Sequence, residues 1–296
     1  MKCLVTGGAG FIGSNLALKL QQQGDDVVVV DNFFTGHVDN LAGFAGEVIR
    51  ADVSRPMEIR EDFDAIFHQA AITDPRHPDD DETYRSNTEG FEVIIDLARR
   101  CGAKLVYASS ASLYGHGDAP QQEDQPKDLL NTYARSKLWM DDRAKTLVDE
   151  MHIVGLRYFN VFGPREAHKG RPASMIYHLT QQMKVGRRPK LFRNGEQKRD
   201  HIYVPDVVTA NLLALEAPCG VYNVGTGRAT TFNELVEWIN QALGTNLQPD
   251  YIDNPYGETY QAHTQADTTR AREQLGFEAA FTPQEGVIDY VRQLTT

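Results

Sequence analysis

The chain has 296 residues, 41% of them hydrophobic, and a formal net charge of −11. That length holds one large domain or two modest ones around a substantial core, and the acidic balance argues against a nucleic-acid binder, which needs a broad basic surface. The longest aliphatic run, Val27 to Val30, is far short of a membrane span. Scattered Cys3, Cys101 and Cys219 form neither a disulfide framework nor a metal-ligand spacing. The first strand-like segment begins at Lys2, with no room for a signal peptide, so a reduced, cytoplasmic protein without metal is expected. In chain order, "CLVTG" reads as a strand, Phe11 to Leu20 as a helix, and "DVVVVD", "GEVIRADV" and "FDAIFHQAA" as strands. A helix pattern from Tyr84 to Arg100 and the strand "KLVYASS" follow. Short Val/Ile-rich runs without polar alternation suit strands buried on both faces, and their alternation with helices predicts βαβ units. The expected fold is α/β, a Rossmann-type doubly wound parallel sheet with a smaller C-terminal substrate-binding region. The cofactor domain is expected over 1–162 plus about 200–226, where "RDHIYVPDVVTANLLALEA" and "GVYNVGTG" bring a strand, helix and strand back to the first layer. The substrate domain takes about 163–199 plus 227–296.

"VTGGAGFIG" places Gly7, Gly10 and Gly13 where the first strand turns into a helix. Glycines there allow a tight turn and a close approach to a pyrophosphate, which the helix N-terminus then binds. "VVVVD" ends in Asp31, about twenty residues on, where a carboxylate accepts hydrogen bonds from a ribose diol and repels a 2′-phosphate. NAD is therefore expected, with NADP as the alternative through Arg50 or Arg55.

"YARSK" sets Tyr133 and Lys137 four apart, on one face of a helix. A free tyrosine, with a pKa of about 10, is a poor base at neutral pH, and a lysine ammonium one turn away, with an oxidised nicotinamide nearby, is expected to lower it. "YASSASLYG" supplies Ser109 or Ser110 at a strand end to share the substrate proton.

TGGAGFIG, SSASLYG and YxxxK together resemble the extended short-chain dehydrogenase/reductases, the nucleotide-sugar epimerases and dehydratases, across essentially the whole chain. The resemblance implies that Ser110, Tyr133 and Lys137 carry hydride and proton transfer. It implies that Asp52 and Val53 flank the adenine and that Ala70 and Ala71, after "HQ", lie along the cofactor. Phe11, Ile12 and Asn32 are expected beside the dinucleotide as well, with Asn87, Phe159 and Val161. Where the dehydratases carry Thr-Asp-Glu before the YG, Ala111 and Ser112 replace the acidic pair, so an epimerase is expected.

"RYFNVFGPREAHKG", "ASMIYHL", "PKLF", "KRDHIYVPDV" and "YQAHTQAD" resemble the ADP-glyceromanno-heptose 6-epimerases more specifically. The expected activity is inversion at C6 of ADP-glycero-manno-heptose with NAD recycled in place. "DNFFTGHVDNL" resembles the UDP-hexose 4-epimerases at least as well, and UDP-hexose 4-epimerisation is the alternative. Inversion at C6 returns hydride to the opposite face of a carbonyl whose oxygen has moved, so a second proton-handling group is required. Lys169 is the candidate, with a pKa lowered by burial and nearby cations. Arg199 suits a diphosphate, or else pairs with Asp200 or Asp206. Asn160 is a sugar or diphosphate contact or a turn residue, and His178 a ligand contact or a core histidine. Phe192 is a candidate substrate contact, and Tyr260 closes over the sugar or simply packs. Arg171 and Pro172 depart from the smaller pair expected after HKG, although Arg171 stays among the substrate candidates. The partner expected beyond the nucleotide-diphosphate sugar is a second copy of the chain, a homo-oligomer, through a helix face around 84–100 or 131–148.

Overall fold

A computed structural model describes residues 1–57, 59–74, 76–254 and 261–295. β1 (Lys2–Thr6) leads through α1 (Phe11–Gln22) to β2 (Asp26–Asp31), β3 (Glu47–Arg50), β4 (Ala65–His68), α2 (Asp80–Cys101) and β5 (Lys104–Ser110). Next come α3 (Thr132–Lys145), β6 (Ile153–Tyr158), β7 (Asn160–Phe162), α4 (Met175–Lys184), β8 (Lys190–Phe192) and β9 (Lys198–Tyr203). The chain ends with α5 (Val204–Leu213), β10 (Gly220–Val224), β11 (Ala229–Thr231), α6 (Phe232–Leu243), β12 (Asp250–Ile252) and α7 (Pro283–Gln293).

Seven strands pair in parallel in the order β10-β6-β5-β4-β1-β2-β3. This is the doubly wound sheet expected, and its order reverses between β1 and β4. Such a switch point opens a crevice at the carboxyl ends of those strands, beside Gly7 and Ala70. One core, with Leu16, Leu20, Val29 and Val207, fills the face under α1 and α5. The other, with Leu4, Phe91, Ile95 and Met140, fills the face under α2 and α3. A third core joins α4, α6 and α7 through Ile176, Leu179, Leu235, Ile239 and Val291. It packs beside a three-stranded sheet, β11-β9-β7, and a two-stranded pair, β12-β8, lies apart from both sheets.

Two local differences from the sequence pattern have simple causes. The helix expected from Tyr84 starts a turn earlier because the Asp79 side chain caps it, accepting from the Glu82 N–H at 2.8 Å. The apolar run "VGLRYFNVF" is two strands: β6 joins the large sheet, β7 the small one. β9 then pairs with β7 and β11, so only α5 and β10 of the "RDHIYV…GVYNV" segment return to the first layer. No helix of the described residues is long and apolar enough to cross a membrane.

Candidate active site

The switch-point crevice is a cleft of about 660 Å³. Gly7 sits at φ 64°, and a Cβ there would lie 2.7 Å from the Ala70 nitrogen. A Cβ on Gly13 would lie 2.2 Å from the Gly7 carbonyl oxygen. The turn therefore presents bare main chain to the cleft. Gly10 caps α1 without a side-chain bond, so the helix N-terminus keeps its unpaired N–H groups for a ligand. Asp31 is buried at the end of β2, where it accepts from the Ala9 N–H at 2.9 Å and the Phe33 N–H at 2.7 Å. Asn87 accepts from the Ile72 N–H at 2.8 Å and donates to Ser136 Oγ at 3.0 Å, which holds the turn after "HQAA" against α3. Phe11, Ile12, Asn32, Asp52, Val53, Ala70, Ala71, Phe159 and Val161 all line the same cleft. A glycine turn with no room for a Cβ, next to a buried carboxylate, fits a dinucleotide. Among the described residues neither Arg50 nor Arg55 lines the cleft; the Arg50 guanidinium lies 5.8 Å from the Phe33 ring centre.

α3 carries Tyr133 in its first turn because Asn131 caps it, accepting from the Ala134 N–H at 2.9 Å. Further along, buried Asp141 pins the helix to the sheet through the Tyr107 hydroxyl and Arg157 Nε, each at 2.9 Å. Of the two serines, Ser110 is the one whose side chain hydrogen-bonds Tyr133, while Ser109 Oγ is buried with no partner among the described residues. Lys137 Nζ donates to the Ala108 carbonyl at 2.7 Å and lies 5.8 Å from the centre of the Tyr133 ring. Burial pushes its ammonium down to about 8, against the pull of Asp141. Burial raises the Tyr133 pKa, and the Ser110 hydrogen bond opposes it.

The basic loop "GPREAHKGRPASM" divides its charges between anchoring and the cleft. Buried Glu166 accepts from the Gly163 N–H, the Ser174 N–H and Ser174 Oγ, closing the loop onto the N-terminus of α4. Arg165 takes φ 71°, a strained conformation for a residue with a side chain. Its Nε donates to the Asn40 carbonyl at 3.0 Å and its Nη1 to Asn15 Oδ1 at 3.4 Å. His168 Nδ1 lies 2.9 Å from both Asn40 Nδ2 and the Arg165 carbonyl oxygen. So fastened, the loop turns Lys169 into the cleft, its Nζ 5.4 Å from the centre of the Phe11 ring. Burial lowers the Lys169 pKa, while the charges of Glu166 and Asp74 oppose the shift.

Asn160 and buried Arg199 line the cleft from the small sheet. Among the described residues Arg171, His178 and Phe192 do not line it. Arg171 is exposed and its carbonyl pairs with His178 Nε2 at 3.2 Å, while Phe192 stands in β8, in register with Ile252 of β12. Tyr260 lies outside the described residues. His201, which the sequence reading passed over, also lines the cleft. Strand alternation carries the signal: if Arg199 faces inward, so does the residue two further on.

Fold and cleft together are those of a Rossmann-type dinucleotide-binding protein. The chain belongs to the NAD-dependent epimerase/dehydratase family, whose model matches residues 3–225. It is 37% identical to the ADP-L-glycero-D-manno-heptose-6-epimerase of Brachyspira hyodysenteriae, over 91% of this chain and 90% of that one. The crystal structure of the Helicobacter pylori ADP-L-glycero-D-manno-heptose-6-epimerase superposes with a TM-score of 0.94 at 38% identity, covering 100% of this chain and 96% of that one. The Thermotoga maritima UDP-glucose 4-epimerase, solved with UDP-glucose, gives a TM-score of 0.89 at 30% identity, with 100% of both chains covered.

Proposed function

We propose that this protein epimerises a nucleotide-diphosphate sugar, and that the substrate is ADP-glycero-manno-heptose, inverted at C6. The observation that carries this reading is that Tyr133 of α3 and Lys169 of the β7–α4 loop line one cleft. Gly7, Gly10 and Gly13 would hold the pyrophosphate of NAD and Asp31 its ribose diol, and the bound cofactor would supply reversible hydride transfer at the sugar carbon. Tyr133, bonded to Ser110, accepts the proton of the sugar hydroxyl; the oxidised sugar turns over, and Lys169 returns a proton to the oxygen in its new position. Lys137 fixes positive charge beside the tyrosine. Arg199 holds the diphosphate and Asn160 the sugar next to it. The identities of 37% and 38% with two ADP-heptose epimerases support the choice of substrate.

A UDP-hexose is the second reading, favoured by the 30% identity to a UDP-glucose 4-epimerase; in it Tyr133 acts alone and Lys169 only touches substrate. A proton NMR time course with ADP-D-glycero-β-D-manno-heptose, beside UDP-glucose, separates the two. Conversion of the heptose to its C6 epimer without added cofactor is expected. Conversion of UDP-glucose alone moves the activity to a 4-epimerase, and conversion of neither removes both substrates.

The division of labour proposed is a cofactor part, 1–162 with about 200–226, and a substrate part, about 163–199 with 227–296. We also infer a homo-oligomer through α2 and α3, whose ends expose Tyr84 and lie beside exposed Val148; light scattering tests it. A cytoplasmic location rests on three cysteines that stay unpaired.

A further inference from the structure

Side chains alternate along β9. Asp200 points away from the cleft and accepts from the N–H groups of Thr226, Gly227 and Ala266. Arg199 and His201, on either side of it, share the opposite face and line the cleft. Strand register extends that face: Asn160 of β7 stands opposite His201, and Thr230 of β11 opposite Arg199. His201 is 3% exposed and meets Phe162 and Phe232 edge to face, at 6.3 Å and 6.1 Å between ring centres. Neither of its ring nitrogens has a hydrogen-bond partner among the described residues, and neither has the Thr230 hydroxyl. Burial, and then the charge of Arg199, push the imidazole down to about 3, so it is neutral, with one N–H donor and one bare acceptor. Buried polar atoms are nearly always matched, and a phenylalanine would fill a slot between two other phenylalanines without leaving any unmatched. The polar atoms of His201 thus have no use within the ligand-free fold. A diphosphate offers only acceptors and would leave the bare nitrogen unmatched. A sugar hydroxyl both donates and accepts, and suits either nitrogen.

We propose that His201 is a substrate-recognition residue, a hydrogen-bonding contact for the hydroxyl-bearing sugar end of the ligand beside Asn160. The proposal rests on the nucleotide-sugar reading above but not on which base the nucleotide carries. It is tested with His201→Phe and His201→Gln in the full chain. Three quantities are compared with the parent: the melting temperature of the ligand-free protein, the amount of NAD bound, and KM and kcat on whichever of ADP-heptose and UDP-glucose the parent turns over. For His201→Phe the expected result is a KM raised about tenfold, the size of one lost hydrogen bond. Its kcat should stay within about twofold, its NAD content should not change, and its melting temperature should be equal or higher. His201→Gln, which keeps a donor and an acceptor, should recover part of the KM. An unchanged KM in His201→Phe overturns the proposal, and so does a lower melting temperature with KM and kcat worsened together, the signature of a packing residue. If the parent turns over neither sugar, the substrate reading has failed. The ligand-free melting temperature then decides alone: a fall marks a packing residue, and an equal or higher value retains the ligand-facing one.

Discussion

Around Gly7 the wall of the cleft is main chain; around Lys169 it is side chain. The first wall is made by one turn of consecutive residues, with Asp31 bonded back to it through the Ala9 N–H. The second is held by contacts that span 125 to 150 residues of sequence, from Arg165 and His168 to Asn15 and Asn40. Main-chain walls tolerate no added atoms, whereas side-chain walls depend on partners that sequence proximity does not reveal.

The largest effects are expected at the two proton-handling groups that line the cleft between these walls. Tyr133→Phe removes the first proton acceptor, and kcat should fall by about 10²–10⁴ with bound NAD unchanged, read by NMR turnover and by the dinucleotide released on denaturation. Lys169→Met should lower epimerisation by about 10²-fold with an unchanged melting curve. Full activity with the heptose would remove Lys169 from the chemistry and leave it as a contact.

Gly13→Ala attacks the main-chain wall. Its Cβ would lie 2.2 Å from the Gly7 carbonyl oxygen, so the turn must shift. Stability should drop by about 1–3 kcal/mol in urea melts, together with NAD retention. An alanine that leaves both unchanged would show that the turn relaxes more easily than its contacts suggest. Asn40→Ala attacks the other wall. It cuts the His168 contact and the bond to the Ala9 carbonyl, but keeps the main-chain acceptor of Arg165. A loss of about 1 kcal/mol and a raised KM are expected, with NAD content preserved.

The doubly wound sheet, the glycine turn, Asp31 and the Tyr133 and Lys137 pair were legible because each rests on local chemistry: buried apolar runs, a turn that excludes Cβ atoms, a helical spacing of four; the choice of Ser110 over Ser109 came from the family resemblance. Lys169 was legible only through its resemblance to a family, since a lysine in a polar loop otherwise reads as solvated. Glu166 and Asn40 were not legible, and of His201 only its facing the cleft could have been read, by alternation from Arg199. What matters about them is a partner far off in sequence or the absence of one, and either appears only once the chain is folded.

A further effect concerns acid. His68 and His201 are both pushed down to about 3, chiefly by burial, whereas the unfolded chain takes up those protons near 6.5. Between these values the unfolded state binds more protons, so this part of the stability is complete above pH 6.5 and is lost as pH falls below it. His201→Phe should reduce the slope of stability against pH by up to about 1.4 kcal/mol per pH unit in that window. An unaltered slope in urea melts at pH 4.5, 5.5 and 6.5 would mean that His201 titrates normally.

The long-range fastening of the basic loop also limits how this enzyme can be recombined. Asn15 and Asn40 lie in the half that carries the glycine turn, while Arg165 and His168 lie in the half that carries Lys169. A chimera that took the carboxy-terminal half of a relative with a different sugar preference would inherit two of these four residues and lose their counterparts. Transplanted specificity should therefore follow only when all four travel together, as one unit of exchange spread over two ends of the gene.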